Sequence, residues 1–539
     1  MKKYILLFQC CICFSYIVVS QNVGIGTITP QAKLHIKGAA NTSQLIIDAN
    51  ATQSNTQPLI RLRDASGADL MYIHSDNIFN TFIGLNAGRT NAASPGLGVA
   101  NTFIGSSAGY SNSTGIYNTA IGQASLFSNN IGKNNTAIGQ AALYSNSQGD
   151  YNNAFGVKAL FSNTTGFNNT ANGYNALYSN DNGVNNVATG YNALYSNTDG
   201  RYNTANGAYA LNSNTTGDEN TANGYFALAS NTIGSYNTAN GVLALKNNIS
   251  GNDNTANGYQ ALYSNSGGSS NIASGRWALY SNTSGNDNTA MGEAALYYNT
   301  SGIINSAIGE SALKSNTTGS RNTAIGAAAL SNNIGGSDNI AIGVAAGTHP
   351  NTPGVYNTIS IGNDDMLNAY QNQVFIGNTS TGFIGGKVPW SVISDERVKN
   401  NISEDVIGLN FILKLRPVTY HINNDAITTL TGSKKTPDFP GKYEGEKIKY
   451  TGFLAQEVEQ AAKSVNYDFS GYAAPKNQWS FYTLSYEQFV VPLVKGMQEQ
   501  QVMIEKQKTI NDKQQAEIDD LKILVAQMKS EIELLKDKK

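Results

Sequence analysis

The chain has 539 residues, enough for several domains, yet only 13% are charged and the formal net charge is −2. A near-neutral, charge-poor chain gives no electrostatic case for binding nucleic acid or an acidic surface. All three cysteines (Cys10, Cys11 and Cys13) fall at the extreme N-terminus, so no disulfide is expected in the rest of the chain.

The opening MKKYILLFQCCICFSYIVVSQ places Lys2 and Lys3 before an apolar stretch from Tyr4 to Val19, with Val18 and Ser20 at small-side-chain cleavage positions. Residues 1–20 therefore read as a secretory signal peptide. The stretch is short for a membrane span, and Gln9 precedes Cys10 where a lipid anchor needs a small residue. The expectation is an exported chain, secreted or on the cell surface, with no membrane span in its mature part. Residues 21–79 hold short alternating runs such as KLHI, SQLII and PLIRLR, broken by Gly, Asn and Pro, and predict a β-rich attachment segment.

A strict repeat follows. Asparagines recur every seventeen residues, fifteen in a row from Asn101, Asn118 and Asn135 to Asn322 and Asn339. The unit reads N-T-A-x-G-x-x-A-L-x-S-N-x-x-G-x-x, with a Gly four residues after every Asn and a Leu eight residues after thirteen of them. NTFIG occurs at Asn80 as well as Asn101, so the repeat region is set at 80–365, with an insertion in its first coil. Seventeen residues cannot hold a helix and its return; two short strands and two turns fit, which predicts a mainly β, parallel solenoid. Both glycines of the unit are expected at φ > 0 corners. Ala120, Leu126 and their equivalents should point inward, and in-register Asn should form amide ladders.

Little in this region suggests catalysis. Its carboxylates (Asp150, Asp181, Asp199, Asp218, Asp253, Asp287) sit mostly in the variable turn and form no pair at fixed spacing, as a glycosidase would need. A Thr column is interrupted by Asn153, Val187, Ile272 and Ile340 and reads as packing. An aromatic column (Phe127, Tyr144, Phe161, Tyr178, Tyr195, Tyr263, Tyr280, Tyr297) directly follows the Leu column. Strand alternation would turn it outward, towards another chain or a sugar. One Leu and one or two Ala per coil make a thin core, which favours self-association. The unit N-T-A-I-G-x-x-A resembles the head repeats of trimeric autotransporter adhesins over about 101–365. That resemblance implies a left-handed parallel β-roll packed three chains to a fibre. The seventeen-residue period is longer than the usual adhesin unit, and no C-terminal membrane barrel follows.

A neck is expected at 366–393, after which charge rises and helical patterns replace the repeat. Four islands stand out: SDERVKNNI (Ser394–Ile402), LNFILKLRPVTYHI (Leu409–Ile422), TGFLAQEVEQ (Thr451–Gln460) and LSYEQFVVPLVKGMQEQ from Leu484. In this order they closely resemble the endosialidase-type intramolecular chaperone, the self-cleaving C-terminal domain of phage tail spikes and fibres. The resemblance implies a small α+β chaperone domain, set at 394–490, with Ser394 as nucleophile and Lys399 as base. The cut would fall between Ile393 and Ser394, in a single-turnover reaction on no external substrate.

The chemistry is sound by itself. A Ser hydroxyl needs a nearby base, and Lys serves as one if burial or a cation lowers its pKa; Arg397 is the candidate cation. The bland alternative makes Ser394 a helix N-cap, followed by Asp395 and Glu396 in the first turn. Gln456 and Glu457 match the family's A-Q-E-V core, as support for the site or as packing. Lys449 and Tyr450 stand where many members carry a His.

The tail 491–539 predicts a coiled coil, with Met497, Ile504, Asn511, Ile518, Val525 and Ile532 at a, and Gln500, Gln507, Gln514, Leu521, Met528 and Leu535 at d. Together these features predict an exported homotrimeric fibre or adhesin-like protein. Its ligand would be a surface glycan or protein, and neither a cofactor nor a metal is called for. The alternative is a phage-derived tail fibre or spike that binds or degrades glycans.

Overall fold

The fold is that of a computed structural model. It describes residues 23–25, 32, 34–36, 45, 47, 57–92, 94–364, 367–379, 381, 384–385, 392–432, 443 and 445–537. The expected signal peptide with its three cysteines, and Trp390 in the neck, lie outside the described residues. The chain divides into two compact units, residues 1–184 and 185–539. No helix among the described residues is long and apolar enough to cross a membrane.

In the first unit, strand Ile60–Arg63 pairs antiparallel with Asp69–His74, which pairs antiparallel with Thr81–Ile83. From there the pairing turns parallel: Thr81 faces Thr102, and then Thr119, Thr136, Asn153 and Thr170 follow at the repeat spacing. The second unit carries the same ladder, from Val187–Thr189 through Ile340–Ile342, and ends on Ile359–Ile361 and Val374–Ile376. The ladder in each unit is a stack of parallel coils whose backbone donors bond to neighbouring coils.

The coil starting at Asn220 shows why the repeat is strict. Strand Thr221–Asn223 buries Ala222 completely, and Leu228 is equally buried behind it. Only one three-residue strand forms per coil, not two, because the rest is a chain of turns through left-handed Phe226 (φ 56°), Leu228 (φ 51°) and Tyr236 (φ 61°). Left-handed backbone costs a non-glycine residue about 1–2 kcal/mol; burying a Leu side chain recovers roughly 1.5–3 kcal/mol. Those turns still bond to their neighbours, as in Leu228 N–H to Ala244 O at 3.0 Å and Tyr236 N–H to Asp218 O at 3.0 Å.

The two conserved-spacing glycines differ in their reasons. Gly224 is left-handed (φ 140°), as expected. Gly234 is not; a Cβ there would lie 2.4 Å from Asn231 Oδ1 and 2.5 Å from Gly251 O. Its carbonyl accepts both Asn220 Nδ2 and Asn231 Nδ2, each at 2.8 Å, so glycine is required by close approach.

Two fully buried Asn columns form the expected ladders. Asn231 Nδ2 donates to Asn214 Oδ1 at 2.8 Å, and Asn248 Nδ2 to Asn231 Oδ1 at 2.7 Å. Asn220 N–H donates to Asn203 Oδ1 at 2.9 Å. A third, exposed ladder joins Asn223 to Asn240 at 2.8 Å and Asn240 to Asn257 at 2.9 Å. Burial decides which ladder matters. Asn231→Ala strands a buried acceptor and should cost about 2–4 kcal/mol, whereas Asn240→Ala should stay within about 0.5 kcal/mol. Chemical unfolding of the two variants checks this; equal losses would contradict it.

The first coils are closed by aromatic rings. Phe82 and Phe103 take the Ala position, are fully buried and stack at 5.1 Å, with His74 tilted over Phe82 at 5.1 Å. Gly109 stands where later coils have Leu; a Cβ there would lie 2.6 Å from the Phe103 ring. The missing Leu makes room for the larger ring.

Candidate functional site

After the last coil the second unit changes character. Helices Leu409–Ile412 and Ala455–Ser464 and the start of helix Val490–Lys536 surround a core of Phe411, Val458, Ala461, Ala462, Phe469 and Phe489. The sequence islands meet here. Strand Val418–Tyr420 pairs antiparallel with Tyr450–Gly452. Arg416 of the second island forms an ion pair with Glu457 of the third. Glu499 accepts from the Leu409 N–H at 2.8 Å, tying the second island to the long helix. The Gly of T-G-F-L is required because the Tyr486 hydroxyl lies 2.0 Å from where a Cβ would stand; that hydroxyl accepts from Phe453 N–H at 3.0 Å.

The first island is a short 3₁₀ turn, Glu396–Val398. Asp395, not Ser394, is its N-cap: its carboxylate accepts the Arg397 N–H at 2.9 Å. The same carboxylate pairs with the Arg397 guanidinium at 2.6 Å, which holds Asp395 below the usual carboxylate range. The cation suggested as a neighbour for Lys399 is therefore engaged by Asp395. Lys399 is the C-cap, and the tight turn brings its Nζ back to Ser394 Oγ at 2.8 Å. Ser394 and Lys399 flank the turn on either side, and the long lysine side chain folds back across it to close a gap that one α-helical face would not. Ile393, Ser394 and Lys399 are all exposed.

Gln456 and Glu457 make other contacts. Glu457 is held by Arg416, and Gln456 lines an open cleft with Tyr420, Phe453, Tyr482 and Tyr486. Among the described residues, no hydrogen bond or ion pair links either to Ser394 or Lys399. Glu457, through Arg416, ties the second island to the third. Lys449 and Tyr450 stand at the strand that faces Tyr420.

With this geometry the comparison is direct. Residues 394–467 match the family model of the chaperone of endosialidase, a peptidase family. The match begins at Ser394 and covers the first three islands, and the solenoid precedes it. A parallel β-solenoid followed by an endosialidase-chaperone-like segment is a tail-spike-like or fibre-like arrangement. No curated protein matches the chain.

The solenoid's aromatic column has a different geometry from the one expected. The rings stand in turns, not strands, and stack face to face: Tyr110, Phe127, Tyr144, Phe161 and Tyr178 at 4.9–5.1 Å, and Tyr263, Tyr280 and Tyr297 at 5.1–5.2 Å. The inner rings of each run have both faces covered by their neighbours, and the rings are half-buried. Sugar stacking needs a free face, so along its length this ribbon offers mainly edges. Several turn carboxylates have structural tasks: Asp150 accepts Lys133 N–H and Asp218 accepts Arg201 N–H, both at 2.7 Å.

Proposed function

We propose that the protein is an exported homotrimeric fibre whose C-terminal domain, 394–490, assembles the three chains and then cuts each one between Ile393 and Ser394. The observation that carries the reading is the 2.8 Å contact of Lys399 Nζ with Ser394 Oγ, at the first residue of the chaperone-like segment. Ser394 attacks the Ile393 carbonyl, Lys399 takes the hydroxyl proton and passes it to the Ser394 nitrogen as the C–N bond breaks and the amine leaves; water then hydrolyses the ester formed. Lys399 and Ser394 are exposed in the single chain, and neighbouring chains would enclose them and exclude water from the site. Assembly therefore precedes the cut.

The helix Val490–Lys536 supports the same order. Its a and d side chains Ile518, Leu521, Val525, Met528 and Ile532 are 44–59% exposed, and an apolar seam of this kind is covered by other helices in a coiled coil. Parallel coils with non-local pairing fold slowly, so a trimerising tail that fixes register speeds them, and cutting afterwards leaves a kinetically trapped rod. The fibre's task is adhesion or surface display.

Light scattering on the purified protein should give three copies. Ile518→Asp with Val525→Asp should give a monomer that remains uncut, though Ser394 and Lys399 are untouched. A monomer that cuts at the wild-type rate would overturn the order of events.

A further inference from the structure

A solenoid covers each coil's apolar face with the next coil, so the last coil needs a cover of another kind. Here the Ala column ends on Ser360 and then Phe375, which pair in register below Ala341. Phe375 meets Phe481 of the C-terminal domain, with ring centroids 6.4 Å apart. Phe481 belongs to a knuckle that begins at Lys476. Within it Ser480 Oγ accepts from Lys476 N–H at 2.9 Å and from Asn477 N–H at 3.1 Å, and Asn477 Oδ1 accepts from Trp479 N–H at 2.9 Å. Four contacts reach the solenoid. Trp479 stacks on buried His349 at 4.9 Å, Asn477 Nδ2 donates to Ala369 O at 2.9 Å, Lys476 Nζ lies 4.9 Å from the Tyr370 ring centre, and Phe481 meets Phe375. From the other side Gly432, left-handed at the end of helix Asn424–Thr431, leaves room for Trp479: a Cβ there would lie 2.3 Å from the indole.

We propose that the C-terminal piece made by the cut does not leave. It stays bound to the solenoid as its end cap, held by the Lys476–Phe481 knuckle. This rests on the reading that the chain is cut before Ser394, but the contacts lie about 80 residues downstream of that bond and do not involve it. A Trp in a ring-lined recess, flanked by a backbone hydrogen bond and a cation over an aromatic ring, is the type of residue that dominates interface energy. The cut thus yields a two-piece protein whose lid remains seated.

The test uses full-length Ser394→Ala with a site-specific protease sequence inserted after Gly385, so that the cut owes nothing to Ser394. After digestion, gel filtration in native buffer should show both pieces in one peak. Trp479→Ala should release the C-terminal piece about 30-fold faster or more, while Trp479→Phe, which keeps a ring on His349, should stay within about threefold of the parent. Separate elution of the parent's pieces would overturn the proposal, as would Trp479→Ala pieces that stay together as long as the parent's. Loss of self-cleavage in Ser394→Ala bears only on the dyad.

Discussion

Ser394→Ala should leave a single full-length band where the wild type gives two. Without the hydroxyl there is no group to attack the Ile393 carbonyl, and losses of roughly 10³-fold or more are usual when a nucleophile is removed. Lys399→Ala should behave the same way. Lys399→Arg is sharper: arginine keeps the positive charge and much of the reach to Ser394, but it does not deprotonate near neutral pH, so it cannot accept the proton. A merely structural Lys399 would tolerate that change and the chain would still cut. Asp395→Ala removes the cap of the Glu396–Val398 turn and frees Arg397, yet it leaves both dyad members in place and should spare the cut. All four variants should still assemble, because the core around Phe411 and the long helix are untouched. Gel electrophoresis after denaturation, with light scattering on the native sample, separates these outcomes.

Gly241→Ala should damage the solenoid more than any surface change. The position is left-handed at φ 141°, and the new Cβ would lie 2.5 Å from Gly258 O in the next coil. Strained backbone and overpacking each cost about 1–3 kcal/mol, and both fall on the nearest-neighbour contact that a stacked array depends on. The expected result is a loss of about 2–6 kcal/mol and a lowered thermal midpoint by circular dichroism. Gly267→Ala is the control: its backbone is not left-handed and the nearest atom, Ser250 Oγ, is 3.7 Å away. That change should fall within about 0.5 kcal/mol of wild type. Equal effects would mean that the coil spacing is looser than the backbone contacts imply.

The solenoid was legible because a strict period forces each residue onto a column, and Ala120, Leu126 and the buried Asn columns follow from that alone. The number of strands per coil was not legible, since Leu at φ near 51° contradicts local propensity and is held there only by burial between coils. The second glycine was misread for a similar reason: two Asn side chains from distant points of the coil converge on one carbonyl, and no local rule reports that convergence. Phe103 and Gly109 compensate across the core, so the break in the Leu column carried information that only packing reveals. At the C-terminal end the spacing of Ser394 and Lys399 argued against one helical face, and the reach of the Lys399 side chain back across the Glu396–Val398 turn resolves it. Arg397 was assigned by charge alone, and the carboxylate of its near neighbour Asp395 takes up its guanidinium. The Trp479 knuckle left a faint trace, a Trp within the polar stretch PKNQWS, but its partners His349, Ala369 and Tyr370 lie over a hundred residues away.

The central claim is that the chain cuts itself at one bond, and the intact mass of the smaller piece tests it most directly. Purified wild-type protein should yield a piece that begins at Ser394 and ends at Lys539, 146 residues in length. A piece that begins at any other residue, or one that still forms from Ser394→Ala, would contradict the assignment of Ser394 and Lys399.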